Sequence, residues 1–350
     1  MKQLFQATAL AFACVASTTA WADPATLKVL GNFTGNKKQV ELVEQPFFMG
    51  LPKEAGISSK IGYSPMDLVN VKAADALRLL KSGAFDVASV QIGLVARDDP
   101  FLEGIDLAGI ATNLADQRKV VDAIREEFDR EVQARFNSKV MTLWPFGPQI
   151  LFCKKAINSM DDFQGAKVRT FTTSMASMIK GLGGSPVTLQ YGEVYLALQR
   201  GVVDCGVTAS SAGNGGKWPE VTSHLLPLAV SNAMQGHFIN LDTWKQFTPE
   251  QQARLTTAFK KMEDDMWALA ANIDADATAC NTGKDSCKEH TKYKMTLGTI
   301  SDAEQARLKT VVNRDVLPEW GRNCNAVVPD CTARWNATVG KAMGYDIAVK

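Results

Sequence analysis

Asp162-Phe-Gln-Gly-Ala-Lys-Val-Arg169-Thr-Phe171, followed by Leu189-Gln-Tyr191-Gly-Glu193-Val-Tyr195-Leu-Ala-Leu-Gln199-Arg-Gly201-Val-Val-Asp204, decides the fold. Residues 166–170 read as a short apolar strand, 173–182 as a helix and 186–189 as a second strand. Residues 191–200 then read as a helix closed by Gly201, and 203–207 as a third strand. This β-α-β-α-β order signals a parallel sheet covered by helices. Arg169 stands at the end of the first of these strands with no acid beside it in sequence. Such an arginine is either a solvated surface charge or an anchor for a carboxylate, and on its own the residue fits both. Glu193 suits the first turn of its helix through the helix dipole. Asp204 reads as a hydrogen-bonding support for its strand end.

The same alternation occurs nearer the N-terminus. Residues 27–30, 60–63 and 85–90 read as strands, and 36–49 and 71–81 as the helices between them. Residues 117–136 form a charged amphipathic helix. Strands at 140–144 and 149–153 flank Pro145-Phe146-Gly147-Pro148, which reads as a hinge crossing. Residues 237–240 read as a strand returning to the first unit. Thr248-Pro-Glu-Gln251 has the form of a capping box with proline at the first helical position, opening a helix that runs to about residue 277. Ser301-Asp-Ala-Glu304 reads as a second capping box. The expectation is an α/β protein of two lobes with a ligand cleft between them and a long helix spanning both. Lobe I takes residues 23–146 plus 232–275, and lobe II takes 147–231 plus 276–350.

Residues 1–22 carry Lys2, a largely apolar run from Leu4 to Ser17 and the Ala20-Trp21-Ala22 pattern of a cleaved secretory signal. The run is too short to span a membrane. Cys14 raises a lipoprotein alternative, weakened by Ala11 where leucine is preferred. The chain has a formal charge of +1, and loss of Lys2 with the signal brings it to 0, which gives no basic face for nucleic acid. Cys153, Cys205, Cys280, Cys287, Cys324 and Cys331 remain. An even count in an exported chain suggests disulfides. Cys280/Cys287 and Cys324/Cys331 look like local staples, with Cys153/Cys205 left over. Six cysteines allow 15 connectivities, so the pairing stays open. Zinc is the weaker alternative, because no C-x-x-C occurs and His224, His237 and His290 are scattered.

No nucleophile elbow, P-loop, dinucleotide fingerprint or H-E-x-x-H is present. Gly181-Leu-Gly183-Gly184 follows a helix and reads as its C-cap. Gly213-Asn-Gly-Gly216 lacks the Lys-Ser/Thr pair that would accompany a phosphate cradle. His224 and His237 have no evident nucleophile partner and read as structural or surface residues. The expectation is no catalytic residues, no cofactor and no metal. Neutral amides, aromatics and one arginine at strand ends compose a binding site rather than a reactive one.

The two opening stretches, with Ala156-Ile-Asn-Ser159, Gly181 to Pro186, Phe238-Ile-Asn240, Trp244 and Thr248-Pro-Glu-Gln251, resemble the DctP-like solute-binding proteins of TRAP transporters. The resemblance covers nearly the whole mature chain. It implies a monomeric two-lobed periplasmic protein that captures an organic acid and delivers it to a membrane permease. It places the family's carboxylate-clamping arginine on Arg169 and an aromatic against the ligand on Tyr191. First-lobe polar contacts fall on Asn32 and Gln91, and Thr208 falls where many members have Asn. For Tyr191 core packing is an equal alternative, and for Asn32 and Gln91 loop capping is. Many members carry a second arginine where this chain has Gln149, and sialic-acid-binding members have Glu at Gln91. Phe33, Trp144, Phe146, Phe171 and Trp218 fall near the expected cleft, with core packing as the alternative for each. The expected ligand is a monocarboxylate or 2-oxo acid with an apolar or aromatic body. The alternatives are dicarboxylates or sugar acids, or an ABC-type partner for the same lobes.

Overall fold

The computed structural model describes residues 23–157 and 159–348, so the signal-peptide reading of residues 1–22 lies outside the described residues. Its strands are β1 (Thr26–Gly31), β2 (Lys60–Pro65), β3 (Val87–Gln91), β4 (Ser138–Pro145), β5 (Gln149–Cys153), β6 (Lys167–Thr170), β7 (Ser185–Thr188), β8 (Cys205–Ala209), β9 (His224–Leu226), β10 (Met234–Asn240) and β11 (Thr296–Leu297). They form two mixed sheets, one in the order β2-β1-β3-β10-β4 and the other in the order β11-β9-β5-β8-β6-β7. In each sheet the strands joined by helical crossovers are parallel, β10 and β5, which arrive from the other sheet, are antiparallel to their neighbours, and the short β11 pairs parallel with β9. The strands alternate so regularly with helices that each sheet has an apolar layer on both faces. Val87, Ala88 and Val90 of β3 are all buried, as a doubly covered strand requires.

The chain passes between the sheets twice, side by side. Phe146 N donates to Ala233 O, Gly147 N to Asn232 O and Gln149 N to Ser231 O, so the two crossing segments hydrogen-bond to each other. Gly147 has φ 117°, which a side chain would strain, and this is where the first crossing turns. A third connection is the 33-residue helix Pro249–Asn281. At 1.5 Å per residue it is about 50 Å long, enough to lie along both lobes. It packs on β4 and the helix Gln45–Ala55 in one lobe and on the helix Ser210–Gly215 in the other. Its capping box is formed: Thr248 Oγ1 accepts from Gln251 N at 3.2 Å and Gln251 Oε1 accepts from Thr248 N at 2.9 Å. At Ser301 only half of the expected box forms. Ser301 Oγ caps Glu304 N, but the Glu304 carboxylate reaches across to Met160 N at 2.8 Å, because that donor lies closer than its own N-cap amide.

The C-terminal helices correct the expected boundary. Residues 276–350 were assigned to lobe II, yet the segments after 302 pack on both lobes. The helix Leu317–Asn325 meets the helix Thr173–Gly181 of lobe II and the turn Pro100–Ile105 of lobe I. Trp320 Nε1 donates to Pro100 O and Trp335 Nε1 to Gly104 O, each through a buried indole. The apolar faces of these helices find partners in Phe101, Leu102 and Phe128, so burial of large aromatics overrides sequence order. Disulfides join Cys153 to Cys205, Cys280 to Cys287 and Cys324 to Cys331. The first ties neighbouring strands β5 and β8, whose register puts Cys153 opposite Cys205. Replacing Cys153 and Cys205 together by alanine should lower the free energy of unfolding by about 2–4 kcal/mol, the usual effect of a native disulfide. Urea titration of the oxidised proteins measures it, and an unchanged midpoint would contradict it.

Candidate functional site

Arg169 is the penultimate residue of β6 and is 4% exposed. Its guanidinium meets no carboxylate among the described residues. Nε donates to Leu189 O at 3.1 Å and Nη1 to Val207 O at 2.7 Å. One face lies over Phe171 at 4.8 Å and another aromatic, Trp218, is at 5.9 Å. Burial pulls its pKa down to about 10, which still leaves it charged at neutral pH. Two carbonyls and two rings hold the fork in place without neutralising it. Neither of these two hydrogen bonds uses Nη2 or the second Nη1 proton.

Small residues make this arrangement possible. Gly206 stands opposite Arg169 in the β6–β8 register, and a Cβ there would come within 2.8 Å of the Trp218 ring. A Cβ on Gly216 would meet the Tyr191 hydroxyl at 2.5 Å. Trp218 is buried, and Tyr191, partly exposed at the first turn of the helix Tyr191–Arg200, stacks on it at 5.7 Å. The Tyr191 hydroxyl donates to Ala212 O at 2.5 Å. Burial pushes the phenol up to about 12, opposed by the nearby Arg169 charge. Arg169, Phe171, Trp218 and Tyr191 thus form one tier. Thr208 on β8 is buried and carries no side-chain hydrogen bond among the described residues, whereas Gln149 turns its amide back to Gly147 O at 2.8 Å.

In the first lobe, Gln91 and Trp144 flank Gln235 in register on β3, β10 and β4. Sequence reasoning passed over Gln235. Its Nε2 donates to Ser89 Oγ at 2.7 Å, leaving Oε1 buried without a partner. Trp144 is fully buried against Phe146 and His237, and its Nε1 has no acceptor. Phe146 and Trp144 are therefore core residues, although the indole proton stays unmatched. Asn32 follows β1 and is 1% exposed; its Oδ1 accepts from Phe33 N and Asn36 Nδ2, both at 2.8 Å, while Nδ2 is buried and unpartnered. Phe33 is partly buried beside the first-lobe core.

Glu44 is the other residue that sequence reading missed. It is fully buried, and its carboxylate accepts from Asn32 N at 3.1 and 3.2 Å, Tyr63 OH at 3.2 Å and His237 Nε2 at 3.0 Å. His237 N donates to Thr142 Oγ1 at 2.9 Å, and that hydroxyl, with no other acceptor among the described residues, donates to Nδ1 at 2.7 Å. His237 is thus structural and buried rather than on the surface. Burial and the Glu44 charge push the Tyr63 phenol above its ordinary range.

The two strand-end groups meet across the lobes. A Cβ on Gly93, two residues after Gln91, would lie 2.6 Å from Thr172 Cγ2, three residues after Arg169. Next to this contact Ser174 N donates to Glu103 Oε1 at 2.8 Å and Ala108 N to Ser174 Oγ at 3.1 Å. At the hinge, Asp274 of the long helix sits beside Gly147, and its buried Oδ1 has no partner. Two surface hollows lie elsewhere. One of about 240 Å³ is lined by His224 and Thr296, and one of about 410 Å³ by Lys180 and Arg314. Asp276, Cys280 and His290 come together as metal ligands might be spaced, but Cys280 is in a disulfide and His290 Nδ1 is bound to Asp276 at 2.6 Å.

The model of bacterial extracellular solute-binding protein family 7, DctP, matches residues 69–317. Among curated proteins, a solute-binding protein of Chromohalobacter salexigens is 29% identical over 37% of this chain and 39% of its own length. The sialic acid-binding periplasmic protein SiaP of Vibrio cholerae is 25% identical over 54% of this chain and 59% of its own. The chain therefore spans less than two thirds of either relative. A TRAP periplasmic solute-binding protein of Desulfovibrio salexigens with bound orotic acid has the same fold. Its TM-score is 0.78 at 13% identity, with 91% of this chain and 100% of that one covered.

Asp274 supplies a pH test of the hinge. Burial raises its pKa from an ordinary 3.8 to about 6, against a hydrogen bond from Ser210 that lowers it. Between those pH values the folded chain holds a proton that the unfolded chain has lost. Stability therefore falls as pH rises from about 4 to about 6, and the loss persists above that. Asp274→Asn should raise stability relative to the parent by about 2 kcal/mol at pH 7.5 and by little at pH 4. Urea unfolding at both pH values measures the difference, and equal effects at both would refute it.

Proposed function

We propose a function from one premise: this chain belongs to bacterial extracellular solute-binding protein family 7, the DctP family. It is a periplasmic binding subunit, exported with a cleaved signal peptide, that captures an organic carboxylate and delivers it to TRAP permease subunits in the membrane. No helix among the described residues is long and apolar enough to cross a membrane. The role proposed is binding: the strand ends among the described residues present amides, rings and a guanidinium.

The observation that carries this reading is Arg169. A guanidinium buried to this degree without an acid is costly, and a ligand carboxylate on its open edge offsets that cost by a bidentate, charge-assisted pair. Phe171, Trp218 and Tyr191 line the same tier and suit the flat apolar or aromatic body of a monocarboxylate or 2-oxo acid. Gln149 replaces the second cation that a dicarboxylate would use. Orotic acid, bound by the Desulfovibrio relative in fold, is a flat carboxylate of that kind. The sialic acid of SiaP keeps sugar acids as the competing ligand class. Ligand held by Arg169, with Asn32 and Gln91 closing from lobe I, draws the lobes together about the Gly147 crossing.

Mass spectrometry of the ligand that co-purifies with the protein should identify a carboxylate. Arg169→Ala should weaken its binding by several kcal/mol, about a thousandfold or more in Kd. Calorimetry on the two proteins measures this, and an unchanged Kd would remove the anchor role.

A further inference from the structure

The first lobe brings a charge to the site that the Arg169 anchor does not explain. Three donors converge on the Glu44 carboxylate, and no Lys or Arg side chain among the described residues pairs with it. Thr142 Oγ1 already accepts from His237 N, so its own proton is assigned to His237 Nδ1, which turns an Nε2–H toward Glu44. A buried anion therefore stands directly behind Asn32, bound to that residue's own backbone N–H. The Asn32 amide is oriented without ambiguity, because its Oδ1 accepts two hydrogen bonds. Its Nδ2 is then a buried donor without an acceptor.

We propose that Glu44 is a specificity-determining residue: together with Asn32 Nδ2 it makes the first lobe take a neutral acceptor oxygen and reject a second carboxylate. A buried donor left unmatched is costly, so the ligand must bring an acceptor to Nδ2. A carboxylate there would satisfy the donor but would also face the Glu44 charge in a water-poor site, where like charges repel strongly. A carbonyl, amide or hydroxyl oxygen satisfies the donor without that repulsion. The substrate class becomes a monocarboxylate whose end remote from Arg169 bears a neutral oxygen. This rests on the reading of Arg169 as the carboxylate anchor.

The test uses ligands of equal shape and different charge: malonamate against malonate, succinamate against succinate and glutaramate against glutarate, titrated by calorimetry. In the parent protein the monoamide should bind about tenfold or more tightly than its dicarboxylate, the scale of one ion–ion repulsion. In Glu44→Gln the ratio should fall toward one, chiefly through a gain by the dicarboxylate. Circular dichroism checks that this variant is folded; if it is not, the parent ratio decides alone. A dicarboxylate that binds as well as its monoamide in the parent overturns the proposal. So does an unchanged ratio in folded Glu44→Gln, or a panel in which no pair binds. Arg169→Ala keeps the two readings apart. Loss of binding in that variant with no charge preference in the parent removes only the Glu44 role. Unchanged binding of the co-purified ligand removes the anchor as well.

Discussion

A buried guanidinium without an acid is the constraint around which this molecule is arranged. Arg169 is charged, almost wholly buried and bonded only to the carbonyls of Leu189 and Val207. Carbonyl dipoles and ring faces soften the desolvation cost but do not cancel a full charge. Several choices in lobe II follow from keeping it in place. Gly206 leaves room for Trp218, Gly216 leaves room for the Tyr191 hydroxyl, and the Cys153–Cys205 disulfide fixes β8 on its other side. A charge kept buried at such a desolvation cost supports the binding role proposed for Arg169.

Much of this was legible in the residues because local pattern and final fold agree. Strand order followed the alternation of apolar runs and turns, and some helix ends carry readable caps, as Gly201 and Thr248 illustrate. Arg169 could be singled out because an arginine interrupts an apolar strand without a nearby acid. That the C-terminal helices also pack on lobe I was not legible, because their aromatics, Trp320 and Trp335, find their acceptors more than 200 residues away in sequence. Separation of that size leaves no periodic signal.

Glu44 escaped for a different reason. Its charge suggests a solvated position, yet at helical spacing it falls on the same side as Val40, Phe48 and Leu51 and is buried with them. Its partners, Asn32 just after β1, Tyr63 within β2 and His237 within β10, come from three separate strands, so only the assembled sheet puts them together. Gln235 was missed for a related reason. It begins an antiparallel strand that returns from the other lobe, and its place beside Gln91 depends on a register the sequence does not state.

The two unneutralised charges also bear on closure. Arg169 belongs to lobe II and Glu44 to lobe I, and the segments that follow Arg169 and Gln91 touch across the interface. On the proposed reading, closing the lobes without ligand would leave the Arg169 charge unneutralised and the Asn32 donor unmatched. A monocarboxylate with a neutral oxygen at its far end would supply both, and would then bind the closed form through two contacts and the open form through one. Only that difference in affinity can shift the equilibrium between forms. A ligand lacking the second oxygen would still bind Arg169 yet do little to favour closure. Recognition by the permease, if it reads the closed surface, would then discriminate by the same two groups that set affinity.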